Sequence, residues 1–395
     1  SKEYLCKWSV AKSGKADLYI PFFQIALESL KPDGVMGYIT VNNFYRSVNG
    51  RELRKYLSRH EFQMKIFDFG AEQVFKGRST YTCVCIIRNS VGNIAYTKSN
   101  SSELENEQKT NFLDIAYNGL DYIKGWLLSD EANVIDNIKK IESTGTSLGD
   151  FVSIKNGFAT LKNDIYVFTP YREDEGYYYL KKNLKVYQIE KAICRSTVKP
   201  NTLDERLPLD LQMEKLIFPY MQNDGKVVLM AEDYLQTNYP RTYAYLVDHK
   251  KDLAQRDKGN RQYQEWYAYG RTQALNIKGY RLFFPYLASK PIFILSDEQE
   301  LMFYNGYALV SDDLEQLKFL QKILCSKVFW YYIKNSSKPY GGEYMSLAKN
   351  YVKNFGIINM SPRQRRIFME FTEQKEIDEY LSNLYKLKAA ISLYT

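Results

Sequence analysis

Histidine and cysteine are scarce in this sequence. It has 2 histidines and 5 cysteines in 395 residues, and the cysteines are spread along the chain at Cys6, Cys83, Cys85, Cys194 and Cys325. Their spacing is neither that of a disulfide framework nor that of a zinc site, and two histidines argue against a multi-histidine metal centre. We therefore predict no metal site. Cysteines without a pairing pattern fit a reducing compartment, so we expect a cytoplasmic protein.

Long apolar runs and several common chemical signatures are also missing. No run of about 18 apolar residues occurs, and the first residues are polar, so we expect neither a membrane span nor secretion. The patterns G-x-G-x-x-G, G-x-x-x-x-G-K-[ST], G-x-S-x-G and H-E-x-x-H do not occur, which excludes the nucleotide loops and hydrolase sites that they mark. His60 and His249 lie in polar, helix-like contexts, and we predict ordinary surface positions for both.

Tyrosine and basic residues are what the chain has in excess. There are 35 tyrosines, aromatic residues make up 15% of the chain, and the net charge is +8. The charge is uneven, with +5 in residues 1–110, −4 in 111–150, +6 in 151–360 and +1 in 361–395. Two basic regions rich in aromatics, joined by an acidic linker-like stretch, suit a nucleic-acid surface, because cations neutralise phosphates and rings stack on bases. A mildly basic protein without that function fits the charge equally well.

The first ninety residues alternate helix-like and strand-like segments. Amphipathic spacing predicts helices at 16–31 and 51–59, and apolar or β-branched runs predict strands at 35–40, 64–69 and 81–88. This order is typical of an α/β sheet with helical crossovers. Three strands are few for such a sheet, and the first would have an unpaired edge, so the sheet resembles the second half of a larger one.

The rest of the chain has a mixed pattern. We predict an exposed polar loop over 89–112, a helix over 130–143 and one buried helix over 313–333. A final strand is predicted at 355–358, and a single amphipathic helix over 361–386. Between 151 and 310, short β-like runs alternate with turns, at 216–219, 226–230, 280–284 and 291–295.

Several segments together resemble a known family. These are ADLYIPFFQIALESLKPDGVMGYITVNNFYR, RELRKYL, KIFDFG and VFKGRSTYTCVCIIRN in the first part, and LGDFVSIKNGFATLKNDIYVF, WYAYGRTQALN, KPYGGEYMSLAKNYVKNFGI and EIDEYLSNLYKL in the second. In this order and spacing the chain resembles the C-terminal portion of TaqI-like adenine-N6 DNA methyltransferases of restriction-modification systems, in particular the type IIG branch.

The resemblance implies a fold and an activity. Residues 1–128 would be the distal half of the catalytic domain, a partial Rossmann-like methyltransferase sheet, which makes the fold class α/β plus α+β. Residues 129–395 would be a mixed α/β target-recognition domain that binds double-stranded DNA and ends in a helix. The family uses S-adenosylmethionine as methyl donor, and Mg²⁺ would be needed only if a nuclease domain lies upstream.

The sequence also departs from the family. The cofactor-binding glycine motif and the catalytic Asn-Pro-Pro-Tyr motif do not occur in these 395 residues. We therefore expect a fragment that lacks the N-terminal part of the same protein, and that neither binds S-adenosylmethionine tightly nor transfers methyl groups alone. Two alternatives stay open: a non-catalytic DNA specificity module that works with a separate methyltransferase subunit, and an RNA methyltransferase.

In the first half, the resemblance points to the loop before the third strand. In the family an aromatic residue of this loop stacks on the extruded adenine, which makes Phe75 the candidate; packing of Phe75 against the sheet is the equal alternative. Lys76 and Arg78, which follow it, are candidates for phosphate contact or for a solvated turn. Asn43, just after the first strand, would line the pocket or form a turn.

In the second half, basic and aromatic residues of the matching segments are the candidates for DNA contact. Arginine reads guanine or holds a phosphate, and aromatic rings stack. We expect about half of this set to be structural, and we expect at least one of the neighbouring residues Trp266 and Tyr267 to belong to the core. The predicted DNA-binding residues are Lys155, Asn156, Arg261, Tyr269, Arg271, Lys338 and Tyr340.

Overall fold

A five-stranded sheet forms the N-terminal third of the computed structural model, which describes residues 2–75, 77–78, 80–104, 111–272, 274–341 and 343–388. Its strands are β1 (Val35–Val41), β2 (Phe62–Asp68), β3 (Thr82–Val91), β4 (Ile94–Lys98) and β5 (Leu113–Ile115). The order is β1-β3-β2-β4-β5, with β1 at one edge. Strand β3 runs antiparallel to both β1 and β2, whereas β2 and β4 are parallel.

Two helices cover one face of this sheet. After the short α1 (Lys2–Cys6), α2 (Tyr19–Ser29) precedes β1, and α3 (Arg51–His60) crosses from β1 to β2. Their apolar residues, such as Phe23 and Leu57, are buried with Cys83 and Cys85 of β3 in one core. The predicted helices and strands of this region are thus confirmed, because each carries its own apolar period.

The loop predicted over 89–112 is wrong in part. Strand β3 continues to Val91, and β4 pairs with β2 inside the predicted loop. Ile94 and Tyr96 alternate along β4 and are both buried, which gives this short strand an inward face that its polar surroundings conceal. Residues 105–110 lie outside the described part of the chain.

Among its described residues, the second part of the chain contains six small sheets. Their strand orders are β11-β10-β9, β19-β12-β13-β8, β14-β15, β18-β16-β20-β7, β17-β21 and β22-β6. The β-like runs predicted from the sequence fall on β13, β15, β16 and β18. The strands are β6 (Thr146–Ser147), β7 (Ser153–Asn156), β8 (Val167–Phe168), β9 (Arg172–Glu173), β10 (Tyr177–Lys182), β11 (Lys185–Glu190), β12 (Cys194–Val198), β13 (Glu214–Ile217), β14 (Tyr220–Asn223), β15 (Lys226–Leu229), β16 (Tyr280–Phe284), β17 (Leu287–Ala288), β18 (Ile294–Ser296), β19 (Met302–Phe303), β20 (Tyr307–Ser311), β21 (Met345–Ser346) and β22 (Gly356–Ile357).

Helices pack around these sheets and also form the C-terminal end of the described chain. The whole is a mixed α/β fold, as expected. Helix α4 matches the helix predicted over 130–143. The helices are α4 (Ala132–Ser143), α5 (Leu148–Phe151), α6 (Asn163–Tyr166), α7 (Glu232–Asn238), α8 (Pro240–Asp248), α9 (Lys250–Ala254), α10 (Leu314–Leu324), α11 (Lys327–Ser336), α12 (Lys349–Val352), α13 (Pro362–Glu370) and α14 (Gln374–Tyr385).

Two predicted long helices are each broken in two. The helix predicted over 313–333 breaks at Ser326, whose hydroxyl donates to the Ile323 carbonyl at 2.6 Å and accepts from the Phe329 amide at 3.3 Å, as an N-cap does. The helix predicted over 361–386 breaks after Glu370. There the Lys322 ammonium donates to the carbonyls of Met369 and Phe371, at 2.7 and 2.5 Å, and so replaces the hydrogen bonds of a continuing helix.

The prediction for His249 is wrong as well. Its side chain is buried, with 4% of its surface exposed, and Nδ1 lies 2.8 Å from the carbonyl oxygen of Tyr245. The ring packs against Tyr187 of β11, because α8 lies across that strand. His60 is exposed, as predicted. Among the described residues, no helix is long and apolar enough to cross a membrane.

Candidate nucleic-acid interface

An apolar groove lies at the carboxyl end of β1, and Phe75 forms part of its wall. We call it the base groove; it has a volume of about 270 Å³. Phe75 is 47% exposed, so its ring is not packed into the sheet. Ligands of α/β sheets bind beyond the carboxyl ends of strands, where this groove lies. Its lining residues are Tyr19, Tyr38, Ile39, Thr40, Val41, Phe75, Arg78, Thr80 and Thr82.

Two tyrosines of the base groove are held by hydrogen bonds. The Tyr38 hydroxyl donates to the carbonyl of Tyr19 at 3.2 Å, and the Tyr19 hydroxyl donates to Oδ1 of Asn43 at 3.0 Å. Burial, with the negative charge of Asp17 adding to it, raises the pKa of Tyr19 far above its ordinary value. Tyr19 is therefore a neutral donor at any working pH, and the predicted residue Asn43 supports the groove wall from behind.

A tight turn carries Arg78 beside Phe75. The Arg78 amide donates to the Phe75 carbonyl at 3.2 Å, and the Arg78 side chain is exposed. Gly77, inside the turn, has a φ of +71°, in the left-handed region that glycine adopts without strain. Arg78 thus places an exposed positive charge at the base groove, which it helps to line. Lys76 lies outside the described residues.

A buried carboxylate ties together the ends of β1, β2 and β4. Asp68, 5% exposed, accepts hydrogen bonds from Nδ2 of Asn42 at 2.8 Å, from the Gly70 amide at 2.9 Å and from the Tyr96 hydroxyl at 2.8 Å. The Tyr45 hydroxyl also donates to it. Burial and the charge of Asp68 raise the pKa values of Tyr45 and Tyr96 well above the ordinary value. We call this set the Asp68 cluster; it anchors the start of the loop that carries Phe75.

The Asp68 cluster forms one wall of a larger cavity. This junction cavity, of about 440 Å³, separates the N-terminal sheet from the end of α11 and the segment that follows it. Lys338, a predicted DNA contact, lines it together with Arg46 and Lys98. Burial lowers the pKa of Lys338, and its ammonium lies 4.9 Å from the centre of the ring of Tyr340, another predicted contact.

The segment 338–344 reaches from the second part of the chain toward the base groove. A Cβ on Gly341 would lie 3.5 Å from the hydroxyl oxygen of Tyr81, the residue just before β3. The segment is closed by hydrogen bonds from the Tyr340 amide to the Tyr344 carbonyl, 2.7 Å, and from the Ser346 amide to the Lys338 carbonyl, 2.9 Å. Lys338 and Tyr340 are thereby brought near the Phe75 loop; Gly342 lies outside the described residues.

The other predicted contacts of the second half are spread over its surface. Lys155 and Asn156 are exposed on β7, and Arg271 is exposed with its amide donating to the Ala159 carbonyl at 2.9 Å. Arg261 is also exposed, and its guanidinium lies 5.5 Å from the centre of the Tyr263 ring. The structure therefore does not gather these four into one pocket, although all are accessible to a large ligand such as a duplex.

Tyr269 is not an exposed candidate, and its prediction as a DNA contact is wrong. It is 2% exposed, and its hydroxyl donates to the Ile217 carbonyl. Its amide donates to the Tyr220 hydroxyl at 2.7 Å. Tyr267 is also buried, with its hydroxyl donating to the Met230 carbonyl at 2.7 Å, which confirms that part of this motif is core. The segment WYAYGRTQALN therefore contributes buried residues that pack against the sheets of β13 and β14.

Arg46 and the Asp68 cluster were missed by sequence reasoning. Each depends on partners far along the chain; Arg46, for example, donates to the carbonyls of Ser337 and Asn335, at 2.5 and 3.0 Å. The one local signal was an aspartate at the end of an otherwise apolar strand, in KIFDFG. A carboxylate in that context has to find donors when the strand is buried.

The base groove does not fit the methyl donor. S-adenosylmethionine carries a sulfonium cation, whereas this groove is lined by apolar and hydroxyl groups with one cation, Arg78, and no carboxylate. Within the described residues, no group of three or more His, Cys, Asp or Glu side chains is placed to hold a metal ion. The groove is suited instead to a flat, neutral aromatic ring such as a base.

Comparisons with known proteins give the context for this geometry. Residues 1–75 match the Eco57I restriction-modification methylase family. The type II restriction enzyme and methyltransferase RM.Eco57I of Escherichia coli is 27% identical over 284 residues, covering 66% of this chain and 27% of that protein. The type II methyltransferase M.BstVI of Geobacillus stearothermophilus is 20% identical over 402 residues, covering 94% and 68%.

The fold is similar to that of a solved restriction-modification enzyme. It is the type IIL restriction-modification enzyme MmeI in complex with DNA, with a TM-score of 0.56, 10% identity, and coverage of 95% of this chain and 50% of that chain. This chain thus spans about a quarter of RM.Eco57I and half of the MmeI chain.

Proposed function

This chain is related to the type II restriction-modification methyltransferases, and from that premise we propose that it belongs to a sequence-specific DNA methyltransferase that acts on adenine N6. In this proposal residues 1–128 form the distal half of the catalytic domain, and residues 129–395 recognise the DNA site. The polypeptide would work together with an N-terminal part of the same protein.

The exposed Phe75 ring carries this proposal. A base that is to be modified has to leave the duplex, at a cost of a few kcal/mol, and a base–aromatic stack returns roughly 1–3 kcal/mol. Phe75 lies in the base groove with Tyr19 and Tyr38, so a planar ring entering it meets aromatic surfaces held in place by hydrogen bonds. Arg78 at the mouth supplies a charge for the phosphate of that nucleotide.

Exposed cations of the second half support DNA as the partner. Lys155, Arg261 and Arg271 are accessible, and none has an ion-pair partner among the salt bridges of the described residues. Lys338 and Tyr340 lie between this half and the base groove. Phosphate contacts of this kind would fix the register of the duplex, while side chains such as Asn156 face base edges.

We propose that the N-terminal part of the same protein holds the methyl donor. The cofactor-binding glycine motif of the family does not occur in these 395 residues, and the base groove does not fit a sulfonium cation, so we assign S-adenosylmethionine to residues outside this chain. The edge of β1 that faces away from β3 has no strand partner among the described residues, and Val35 and Ile39 on this strand are about half exposed. We propose that the N-terminal part adds the next strand along this edge. Magnesium enters only if that part includes a nuclease.

The test uses duplexes that contain 2-aminopurine in place of adenine. The bound site is first selected from a randomised duplex pool, and each adenine of the site is then replaced in turn. Stacking inside the duplex already quenches 2-aminopurine, so we expect one position at which this chain strongly raises the emission, because the base is extruded there onto Phe75. Phe75→Ala should abolish this rise and weaken binding by about 5- to 150-fold, the equivalent of the lost stack.

Phe22→Ala is the matched control, because Phe22 is 50% exposed but does not line the base groove. It should bind like the unmodified chain and raise the 2-aminopurine emission to the same extent. Equal effects of the two substitutions would contradict the role of Phe75. Binding of the corresponding RNA duplex as tightly as DNA would favour the RNA methyltransferase instead, and methylated nucleosides other than N6-methyladenine, from DNA treated with the complete protein, would contradict the adenine assignment.

A further inference from the structure

One arginine joins the N-terminal sheet to the end of a distant helix. Arg46 follows the 3-10 turn Asn42–Tyr45 that leaves β1, and its guanidinium donates to the carbonyls of Ser337 and Asn335, at 2.5 and 3.0 Å. These residues stand at the carboxyl end of α11. The two bonds therefore bridge elements that are almost 300 residues apart in the chain.

The chemistry of a helix end explains why these bonds are strong. The last carbonyls of a helix have no partner inside it, and the helix dipole leaves partial negative charge there, which favours a cation. Ser337 is fully buried, so water does not compete for its carbonyl group. Charge-assisted hydrogen bonds in such a setting are about twice as strong as neutral ones.

On the side of the N-terminal sheet, Arg46 is attached to the Asp68 cluster. The turn that precedes it includes Asn42 and Tyr45. The side-chain amide of Asn42 and the hydroxyl of Tyr45 both donate hydrogen bonds to the Asp68 carboxylate. The Tyr45 carbonyl also accepts from the Trp126 amide at 2.6 Å. The backbone of Arg46 is thus part of the framework that anchors the Phe75 loop.

On the other side, the helix end leads directly into the segment 338–344. Ser337 is followed by Lys338 and Tyr340, and the segment comes close to Tyr81 next to the base groove. Wherever the end of α11 is placed, this segment is placed with it. A shift of α11 would therefore move Lys338 and Tyr340 relative to Phe75.

The junction around Arg46 is hollow. The junction cavity of about 440 Å³ lies on one side and a second cavity of about 240 Å³ on the other, and Arg46 and Tyr351 line both. The two cavities interrupt the apolar packing around Arg46. A polar link that crosses such a gap sets the relative position of the elements that it joins.

We propose that Arg46 is a positioning residue: through its bonds to the end of α11 it holds the segment 338–344, and the recognition half behind it, in register with the base groove. Arg46 itself touches neither base nor donor. The consequence for DNA rests on the proposed function, whereas the consequence for the geometry of the chain does not.

The test compares Arg46→Ala, Arg46→Lys and the control Arg51→Ala. Arg51 is an arginine of the same half that donates to one carbonyl, that of Ile123, at 3.0 Å and lies on the exposed surface. Nitroxide labels are placed at Tyr340→Cys and Arg59→Cys in a chain in which Cys6 and Cys325 are replaced by serine. Pulsed dipolar spectroscopy then measures the distance distribution without DNA.

We expect a narrow distribution of the distance between the labels when Arg46 is retained and in Arg51→Ala. The distribution should be broad in Arg46→Ala and intermediate in Arg46→Lys, because lysine retains hydrogen-bond donors. With the selected duplex, Arg46→Ala should lose at least tenfold in affinity and lose the rise in 2-aminopurine emission, while its binding to random duplex and its salt slope stay unchanged. A narrow distribution in Arg46→Ala, or equal losses on selected and random DNA, would overturn the proposal. If no variant and no unmodified chain binds DNA but Arg46→Ala broadens the distribution, the positioning role stands and the proposed function fails.

Discussion

The side-chain amide of Asn42 donates a hydrogen bond to the carboxylate of Asp68 over 2.8 Å, and this bond joins the carboxyl ends of β1 and β2. The same carboxylate receives the Tyr96 hydroxyl and the Gly70 amide. One buried acid therefore sets the position of two strand ends and of the loop that begins at Gly70.

Removal of the carboxylate should destabilise the whole N-terminal sheet. Asp68→Ala leaves several buried donors without an acceptor, each worth about 1–3 kcal/mol, so we expect a loss of roughly 3 kcal/mol or more in the free energy of unfolding. Urea unfolding followed by circular dichroism measures it. Asp114→Ala is the control, because that exposed carboxylate accepts from Asn93 at 2.6 Å and should cost well under 1 kcal/mol. A similar small loss for Asp68→Ala would contradict the anchoring role.

Substitutions of Tyr269 and Arg271, which both lie in the segment WYAYGRTQALN, should have different effects: the first on stability and the second on DNA binding. Tyr269→Phe removes a buried hydroxyl that donates to Ile217, and should lower the free energy of unfolding by about 1 kcal/mol without changing DNA affinity. Arg271→Ala should leave stability unchanged and weaken DNA binding. Denaturation curves and fluorescence anisotropy on both variants test this, and a loss of affinity in Tyr269→Phe at unchanged stability would return Tyr269 to the interface.

Phosphate contacts should be visible in the dependence of affinity on salt. Lys155→Ala and Arg261→Ala should each weaken binding to any duplex and reduce the salt slope by about 1, because each removes one phosphate contact. Lys375→Ala is the control: this residue is exposed on α14 and lies 3.9 Å from Glu379. If the slopes of all three variants equal that of the unmodified chain, neither Lys155 nor Arg261 contacts phosphate.

A partly buried carboxyl should make stability depend on pH in a defined direction. Burial raises the pKa of Glu142 from its ordinary value of 4.5, although the Tyr332 hydroxyl donates to it at 2.9 Å and opposes the shift. The folded chain thus holds this proton more firmly than the unfolded chain. The resulting stability is complete below the ordinary pKa and is lost as the pH rises through the raised one.

Glu142→Gln keeps an acceptor for Tyr332 and cannot ionise. The variant should gain stability relative to the unmodified chain as the pH rises above about 4.5, and the difference should level off once Glu142 is fully ionised. Urea unfolding at intervals between pH 4 and 8 measures this. A constant difference over that range would show that Glu142 is not desolvated in solution.

The chain by itself should be inactive as a methyltransferase. We expect no tight binding of S-adenosylmethionine in isothermal titration calorimetry, and no transfer of labelled methyl groups to the selected duplex, because the cofactor-binding glycine motif and the Asn-Pro-Pro-Tyr motif of the family do not occur in these 395 residues. Turnover by these 395 residues alone would contradict the assignment of the donor to another part of the protein.

Local pattern was enough for the N-terminal elements. Helices α2 and α3 and strands β1, β2 and β3 each repeat apolar residues at their own period, and burial of those residues is what the period requires. The place of Phe75 in the loop just before β3 also followed from the sequence, through the resemblance, whereas its position beside the carboxyl end of β1 came from the structure. Strand β4 was missed because its two inward residues stand in a polar neighbourhood.

The amino-acid sequence by itself determined the segments that form β1, β2 and β3 of the first sheet, the abundance of basic and aromatic residues, and the absence of the glycine and Asn-Pro-Pro-Tyr motifs. Only the tertiary structure decided that Tyr269 is buried while Arg271, two residues on, is exposed, that Lys322 ends α13, and that Arg46 reaches the end of α11. The reason is physical: a periodic pattern reports which side of a segment faces inward, whereas the partner of a buried hydroxyl, ammonium or guanidinium is chosen by elements that lie tens to hundreds of residues away and meet it only in the folded chain.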